Sequence, residues 1–309
     1  MSLVSAVTDS FVCRFVDAKS IFSTREGAER YLDRLKAHPT GAFKLSPRMF
    51  SSAKVVYGER RCGLQSYTLA HENRVYRRRL IYLPGGAFYR EPRLQQFSFI
   101  SSLAKALDAC AQLLIYPKAP KYGCEEVVRK TFDWCADAMD RYKGDEIVFV
   151  GDSAGAGLCL SVCFLLKKDG LPLPDALFLI SPFVNARLDD VFHRDRSSRD
   201  PLLGVDGLQF LIDEFRGGLD PDDPLISPVN GDLSGLPPVS VVTGTNDTLY
   251  PDARELCSLL AQSGVHVNAH EFADVGHDFI MLASPEAARA KKLLKEDYLK
   301  SIHGKGVKK

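Results

Sequence analysis

The sequence lacks a charge excess of either sign. Its 309 residues carry 40 Lys plus Arg against 39 Asp plus Glu, a formal net charge of +1. Nucleic-acid and membrane-surface binders select for a strong basic excess, so neither kind of partner is expected. The local basic clusters are Arg77-Arg78-Arg79 and the tail Val307-Lys308-Lys309, both expected as solvated surface. No uninterrupted apolar run reaches the roughly 18 residues of a membrane-spanning helix. The eight cysteines include no Cys-x-x-Cys pair and no zinc spacing. Cys159 and Cys163, four apart, are expected as small core residues rather than a redox or metal pair. This usage suits a reducing cytoplasm. The first ten residues have no basic region and carry Asp9, so no signal peptide is expected there. Internal repeats and low-complexity stretches are absent.

What is present is ordinary globular composition, with 45% hydrophobic and 26% charged residues. The length suits one large α/β domain with a cap, or two small domains. Residues 1–50 form a separate region, with amphipathic helices expected at Phe11–Lys19 and Arg25–Lys36, closed by His38-Pro39-Thr40-Gly41. Lys54–Glu59 and Leu64–Leu69 alternate like a hairpin. Leu80–Leu83, Leu113–Tyr116, Ile147–Val150, Leu177–Ile180 and Val239–Val242 are short, nearly continuous apolar runs. Such runs suit parallel strands covered on both faces. Val265–Phe272 is a further predicted strand. Helical patterns separate them at Phe97–Leu107, Glu125–Tyr142, Ala154–Lys168, Val205–Phe215, Asp252–Gln262 and Pro285–Tyr298. The alternation predicts an α/β fold, a mostly parallel twisted sheet between helices. Sites in such sheets form beyond the carboxyl ends of the strands.

Gly151-Asp152-Ser153-Ala154-Gly155 follows one apolar run and opens an apolar helix. Chance alone supplies roughly 0.1 Gly-x-Ser-x-Gly matches in such a chain, so the context decides. Strand, tight turn and helix are what a nucleophile elbow requires. A phosphate-binding glycine turn is the competing reading. It lacks a Lys in Walker spacing and a Gly-x-Gly-x-x-Gly.

A serine hydroxyl needs a base held by a third group. His38 and His71 precede the serine, and His193 sits in a charged stretch. His266 and His270 occupy a predicted strand, and His303 lies in the tail. His277 stands in a loop after a strand, in Asp274-Val275-Gly276-His277-Asp278-Phe279, and is the candidate base. Asp247, the first carboxylate after Val239–Val242, is the candidate orienting acid. Its competitor, Asp252, reads more simply as a helix cap. Small residues in Pro84-Gly85-Gly86-Ala87 let backbone approach a substrate. Gly86, Ala87 and Ala154 are the candidate oxyanion donors.

Together these residues resemble the hormone-sensitive-lipase-like esterases and lipases of the α/β-hydrolases, over most of residues 75–282. The resemblance includes Tyr116-Pro117-Lys118-Ala119-Pro120, Ile180-Ser181-Pro182-Phe183 and Asp223-Pro224-Leu225-Ile226-Ser227-Pro228. It continues through Asp232-Leu233-Ser234-Gly235-Leu236-Pro237-Pro238 to Gly244-Thr245-Asn246-Asp247 and Gly276-His277-Asp278-Phe279. It implies an α/β-hydrolase core over 51–309, with a helical cap built from the N-terminal helices and an insertion near 185–218. It also implies a carboxylesterase acting on short or medium acyl chains of a small-molecule ester, with no cofactor and no metal. One position departs. The family's oxyanion loop usually reads His-Gly-Gly-Gly, and here Pro84 stands in place of the histidine. Ala87 is expected to serve as a donor with a negative φ. A non-catalytic binding module, and an amidase or lactonase with the same triad, are the rival readings. The sequence leaves homo-oligomerisation open.

Overall fold

Strand and helix alternate along the protein as its apolar runs predict. The structure, a computed structural model, describes residues 18–39, 41, 43–45, 55–73, 75–188 and 190–305. The chain opens with helical residues 18–23 (α1) and α2, Arg25–Ala37. The expected helix at Phe11–Lys19 otherwise lies outside the described residues. Thr24 caps α2 by accepting from the Gly27 amide at 3.1 Å, and Arg34 and Lys36 sit in its last turn. Both features suit the helix dipole.

β1 (Val55–Arg61) and β2 (Leu64–Ala70) form the expected hairpin. Its two-residue turn, Cys62-Gly63, has φ of 49° and 74°, the handedness that matches strand twist. There follow β3 (Arg78–Leu83), α3 (Leu94–Ala106), β4 (Cys110–Ile115), α4 (Cys124–Arg141), β5 (Glu146–Asp152), α5 (Ala154–Lys168) and β6 (Ala176–Ile180). The remainder is α6 (Val191–Ser197), α7 (Val205–Arg216), β7 (Val239–Gly244), α8 (Tyr250–Gln262), β8 (Val267–Phe272) and α9 (Pro285–Lys305). One eight-stranded sheet runs in the order β1-β2-β4-β3-β5-β6-β7-β8. The β1–β2 and β2–β4 pairs are antiparallel and all others are parallel.

Alternate residues of each central strand enter opposite cores. Leu83, Phe149, Leu179 and Val241 pack beneath α4, α5 and α8. Tyr82, Val150, Phe178 and Val242 pack beneath α3 and α9. Cys159 and Cys163 are fully buried free thiols, as core packing requires.

Two expectations change. Arg77-Arg78-Arg79 is not simply solvated surface. Arg77 and Arg79 pair with Asp145 at 3.2 and 2.7 Å, and Arg78 pairs with Glu146 at 2.8 Å. The Arg79 guanidinium also lies 3.5 Å from the centre of the Tyr142 ring. The run sits where β3 meets the start of β5, so its partners come from the next strand. The charged stretch around His193 also gains a helix, α6, started by Asp190 accepting from the His193 amide at 2.8 Å. Its ring is buried, because Asp190 and Asp252 both pair with it, at 2.7 and 3.0 Å.

The insertion between β6 and β7 carries α6 and α7; α2 packs on α7, and α1 meets α7 at Gly207. A Cβ on Gly207 would lie 2.5 Å from the Ile21 carbonyl oxygen. Only glycine therefore allows the two segments to approach this closely. Among the described residues no helix is long and apolar enough to cross a membrane.

Candidate active site

The carboxyl ends of β3, β5, β7 and β8 converge on one open cavity. Ser153 sits on the turn between β5 and α5, at φ 50° and ψ −122°. For a non-glycine residue that conformation stores on the order of 1–3 kcal/mol of strain. The surroundings enforce it. The Ser153 amide donates to the Ile180 carbonyl at 2.8 Å, and the Ser153 carbonyl accepts from Phe183 at 3.1 Å. A Cβ on Gly155 would lie 1.9 Å from the Leu83 carbonyl oxygen. The helix must start this close to β3, and the glycine spacing of the motif follows from that contact.

His277 lies between β8 and α9 and is buried. Its Nδ1 is 3.0 and 3.1 Å from the two carboxyl oxygens of Asp247. A carboxylate oxygen accepts from Nδ1 in this contact, and Nε2 lies on the side away from Asp247. Asp247 also accepts from the Leu249 amide at 2.8 Å. Asp252, the competing acid, is turned away towards His193 and Asn185. Burial alone would push the His277 imidazole down. Asp247 first, then Asp278 and Asp200, more than offset it and hold it up at about 10.

Ser153, His277, Gly86, Ala87 and Ala154 all line the cavity. Ala154 opens α5, so its amide has no intrahelical acceptor. In the loop after β3 the expectation of a negative φ at Ala87 is overturned. Gly86, Ala87 and Phe88 all have positive φ, at 130°, 51° and 66°. They make a tight turn in which the Gly86 carbonyl accepts from Tyr89 and Arg90, each at 3.0 Å. In the absence of the histidine, other groups tie this loop. Tyr116 donates its hydroxyl to the Pro84 carbonyl at 2.7 Å, and Asp152 accepts from the Gly85 amide at 2.9 Å. Gln96 bridges the Asp152 carboxylate, at 2.8 Å, and the Gly85 carbonyl, at 3.4 Å. Beneath Tyr116 the Lys118 ammonium is buried, which lowers it to about 7, and it donates to the Tyr116 carbonyl at 3.0 Å.

Sequence reasoning did not single out several of these groups. Asp152 lies inside the serine motif, yet its burial against Tyr82, Gly85 and Gln96 is a tertiary fact. Asp278 faces the cavity with Oδ2 3.5 Å from His277 Nε2. Burial pushes its carboxyl well above the carboxylate range, and Asp152 and Asp247 reinforce the shift. Asp200, from the insertion, also reaches this cluster. No local pattern marks these roles.

A family model described as alpha/beta hydrolase fold matches residues 80–281, and the chain belongs to that family. It is 30% identical over 241 residues to an acetyl-hydrolase of Streptomyces hygroscopicus, covering 75% of this chain and 78% of that protein. An esterase of Acinetobacter venetianus is 29% identical over 215 residues, covering 68% and 71%. Among solved structures, a hormone-sensitive lipase from a metagenome library is 27% identical with a TM-score of 0.75, covering 87% and 97%. The hormone-sensitive-lipase homologue EstE7, also from a metagenome library, is 25% identical with a TM-score of 0.77, covering 95% and 98%.

Proposed function

We propose that the protein is a serine carboxylesterase that cleaves small-molecule esters of short to medium acyl chains through a Ser153–His277–Asp247 triad. One observation carries the reading: an Asp247-bound imidazole lines the same cavity as a serine held on a strained elbow. The relatives named esterase and acetyl-hydrolase support the reaction class. Ser153 Oγ attacks the acyl carbon while His277 Nε2 takes its proton. The tetrahedral oxyanion is stabilised by amides of Gly86, Ala87 and Ala154, each such donor being worth roughly 3–4 kcal/mol. The carbonyl re-forms, the ester C–O bond breaks, and His277 returns the proton to the departing alcohol. Water, deprotonated by His277, then attacks the acyl-enzyme. The acid leaves and Ser153 regains its proton.

The cavity supports the acyl preference. Phe22, Leu203, Leu208 and Ile212 give it an apolar wall beside Ser153. That wall suits a short alkyl chain, and burying each methylene is worth about 0.8 kcal/mol. The test is hydrolysis of p-nitrophenyl acetate and butyrate beside an amide substrate. Wild type is expected to turn over the esters and Ser153→Ala to be inactive. Equal activity in Ser153→Ala would remove the nucleophile assignment. Labelling by a fluorophosphonate separates this reading from a binding module, which would not react.

A further inference from the structure

Asp200 lies in the insertion, between α6 and α7, and is only 2% exposed. The chemistry above makes no use of it. Its Oδ2 accepts from the backbone amide of Thr248, the residue after Asp247, at 2.8 Å. Its Oδ1 accepts from the amides of Leu202 and Leu203 at 2.8 and 3.2 Å. One carboxyl oxygen of Asp200, one of Asp247 and one ring nitrogen of His277 lie within 4.8 Å of one another. The histidine loop presses on the same corner from the other side. A Cβ on Gly276 would lie 2.5 Å from Pro201 Cδ and 3.4 Å from Asp200 Oδ1. Asp200-Pro201 is therefore wedged between the loop that carries Asp247 and the loop that carries His277. Behind it, Lys19 of α1 donates to the carbonyls of Ser197, Asp200 and Leu203 at 2.9, 2.7 and 2.5 Å.

We propose that Asp200 is a positioning residue for the triad: it holds the acid loop against the histidine loop and ties their spacing to the seating of the insertion. The inference rests on Ser153, His277 and Asp247 being that triad. A carboxylate fits the place because an acceptor-only group can serve three amides at once. An asparagine would turn an N–H donor towards one of them. Small displacements matter here, since about 1 Å of misplacement can cost on the order of 100-fold in rate. The groups facing His277 are Asp247 at Nδ1, Asp278 at Nε2 and Asp200 at the side, with Asp152 behind Asp278. Loosening the Asp247 contact and removing a carboxylate both make the imidazolium easier to deprotonate.

The experiment measures kcat, KM, melting temperature and the pH profile on p-nitrophenyl butyrate. It compares wild type with Ser153→Ala, Asp200→Asn, Lys19→Met and His193→Gln. Asp200→Asn is expected to lower kcat about 10- to 100-fold, leave KM near wild type and move the acid-limb midpoint to lower pH. Lys19→Met, which keeps the carboxylate, should repeat both effects more weakly. His193→Gln, which cuts another tie between insertion and core, should lower the melting temperature with the midpoint in place. Two outcomes for Asp200→Asn overturn the proposal: wild-type kcat and midpoint, or a loss that follows melting temperature alone. If Asp200→Asn does not fold, wild-type kcat and midpoint in Lys19→Met overturn it. Activity in Ser153→Ala would instead remove the triad reading. A dead Ser153→Ala beside an unaffected Asp200→Asn removes only the role of Asp200.

Discussion

Phe215 of the insertion helix α7 stacks on Phe88 of the loop after β3, with ring centroids 4.1 Å apart and planes 11° apart. Phe88 has a positive φ, and Phe183 meets it edge-on with centroids 5.9 Å apart. The stack joins the insertion to the loop whose residues Gly86 and Ala87 line the candidate site. Phe215→Ala is expected to lose about 3–5 kcal/mol in denaturant unfolding and to lower kcat more than it raises KM. Phe215→Leu should recover part of both. Full kcat in a destabilised Phe215→Ala would show that the loop does not depend on the stack.

Asp247 and Asp252 are separated by a paired substitution. Asp247→Asn can present an N–H to His277 and favour the wrong tautomer. Steady-state kinetics should show kcat falling by about 10⁴, with KM near wild type. Asp252→Asn alters the His193 and Asn185 contacts, away from His277, and should keep kcat near wild type. The reverse pattern would exchange their roles.

The rate should rise with pH. Only neutral imidazole can take the Ser153 proton, and Asp247 with its neighbours holds His277 above the ordinary 6.5, up to about 10. The acid limb of kcat/KM on a neutral ester should therefore have its midpoint above 6.5. A midpoint below that value would contradict the cluster. Stability runs the other way. A histidine raised on folding contributes fully below about pH 6.5, and that contribution is lost as pH climbs through the folded value.

His193 gives a second pH signature, in stability alone. Burial lowers its affinity for a proton, but Asp252 and Asp190 more than restore it, and the net direction is upward. His193→Gln breaks a buried pair, a change worth about 3–5 kcal/mol. The stability difference from wild type should be largest below about pH 6.5 and shrink as pH rises above it. Urea midpoints at several pH values measure it, and a difference that grows with pH would refute the pairing.

The candidate triad was legible because each member follows an apolar run, and parallel strands place successive carboxyl ends side by side. The turn after β3 was legible as a turn of small residues but not in its conformation. Small residues mark a turn, yet three consecutive positive φ values at Gly86, Ala87 and Phe88 depend on the rings stacked above and the carboxylate below. His193 read only as one residue of a charged stretch because its partner Asp252 lies 59 residues away.

By itself the sequence determined the sheet, the serine turn and the order of acid and histidine. These follow from periodicity and residue size, which act locally. Tertiary structure decided that Asp278 and Asp200 join Asp247 around His277. Asp247, Asp278 and Asp200 come from separate segments, and burial raises the carboxyls of Asp278 and Asp200. A carboxylate's proton affinity depends on what excludes water from it and what donates to it. Asp200 becomes such a neighbour only once the insertion is folded against the strand ends.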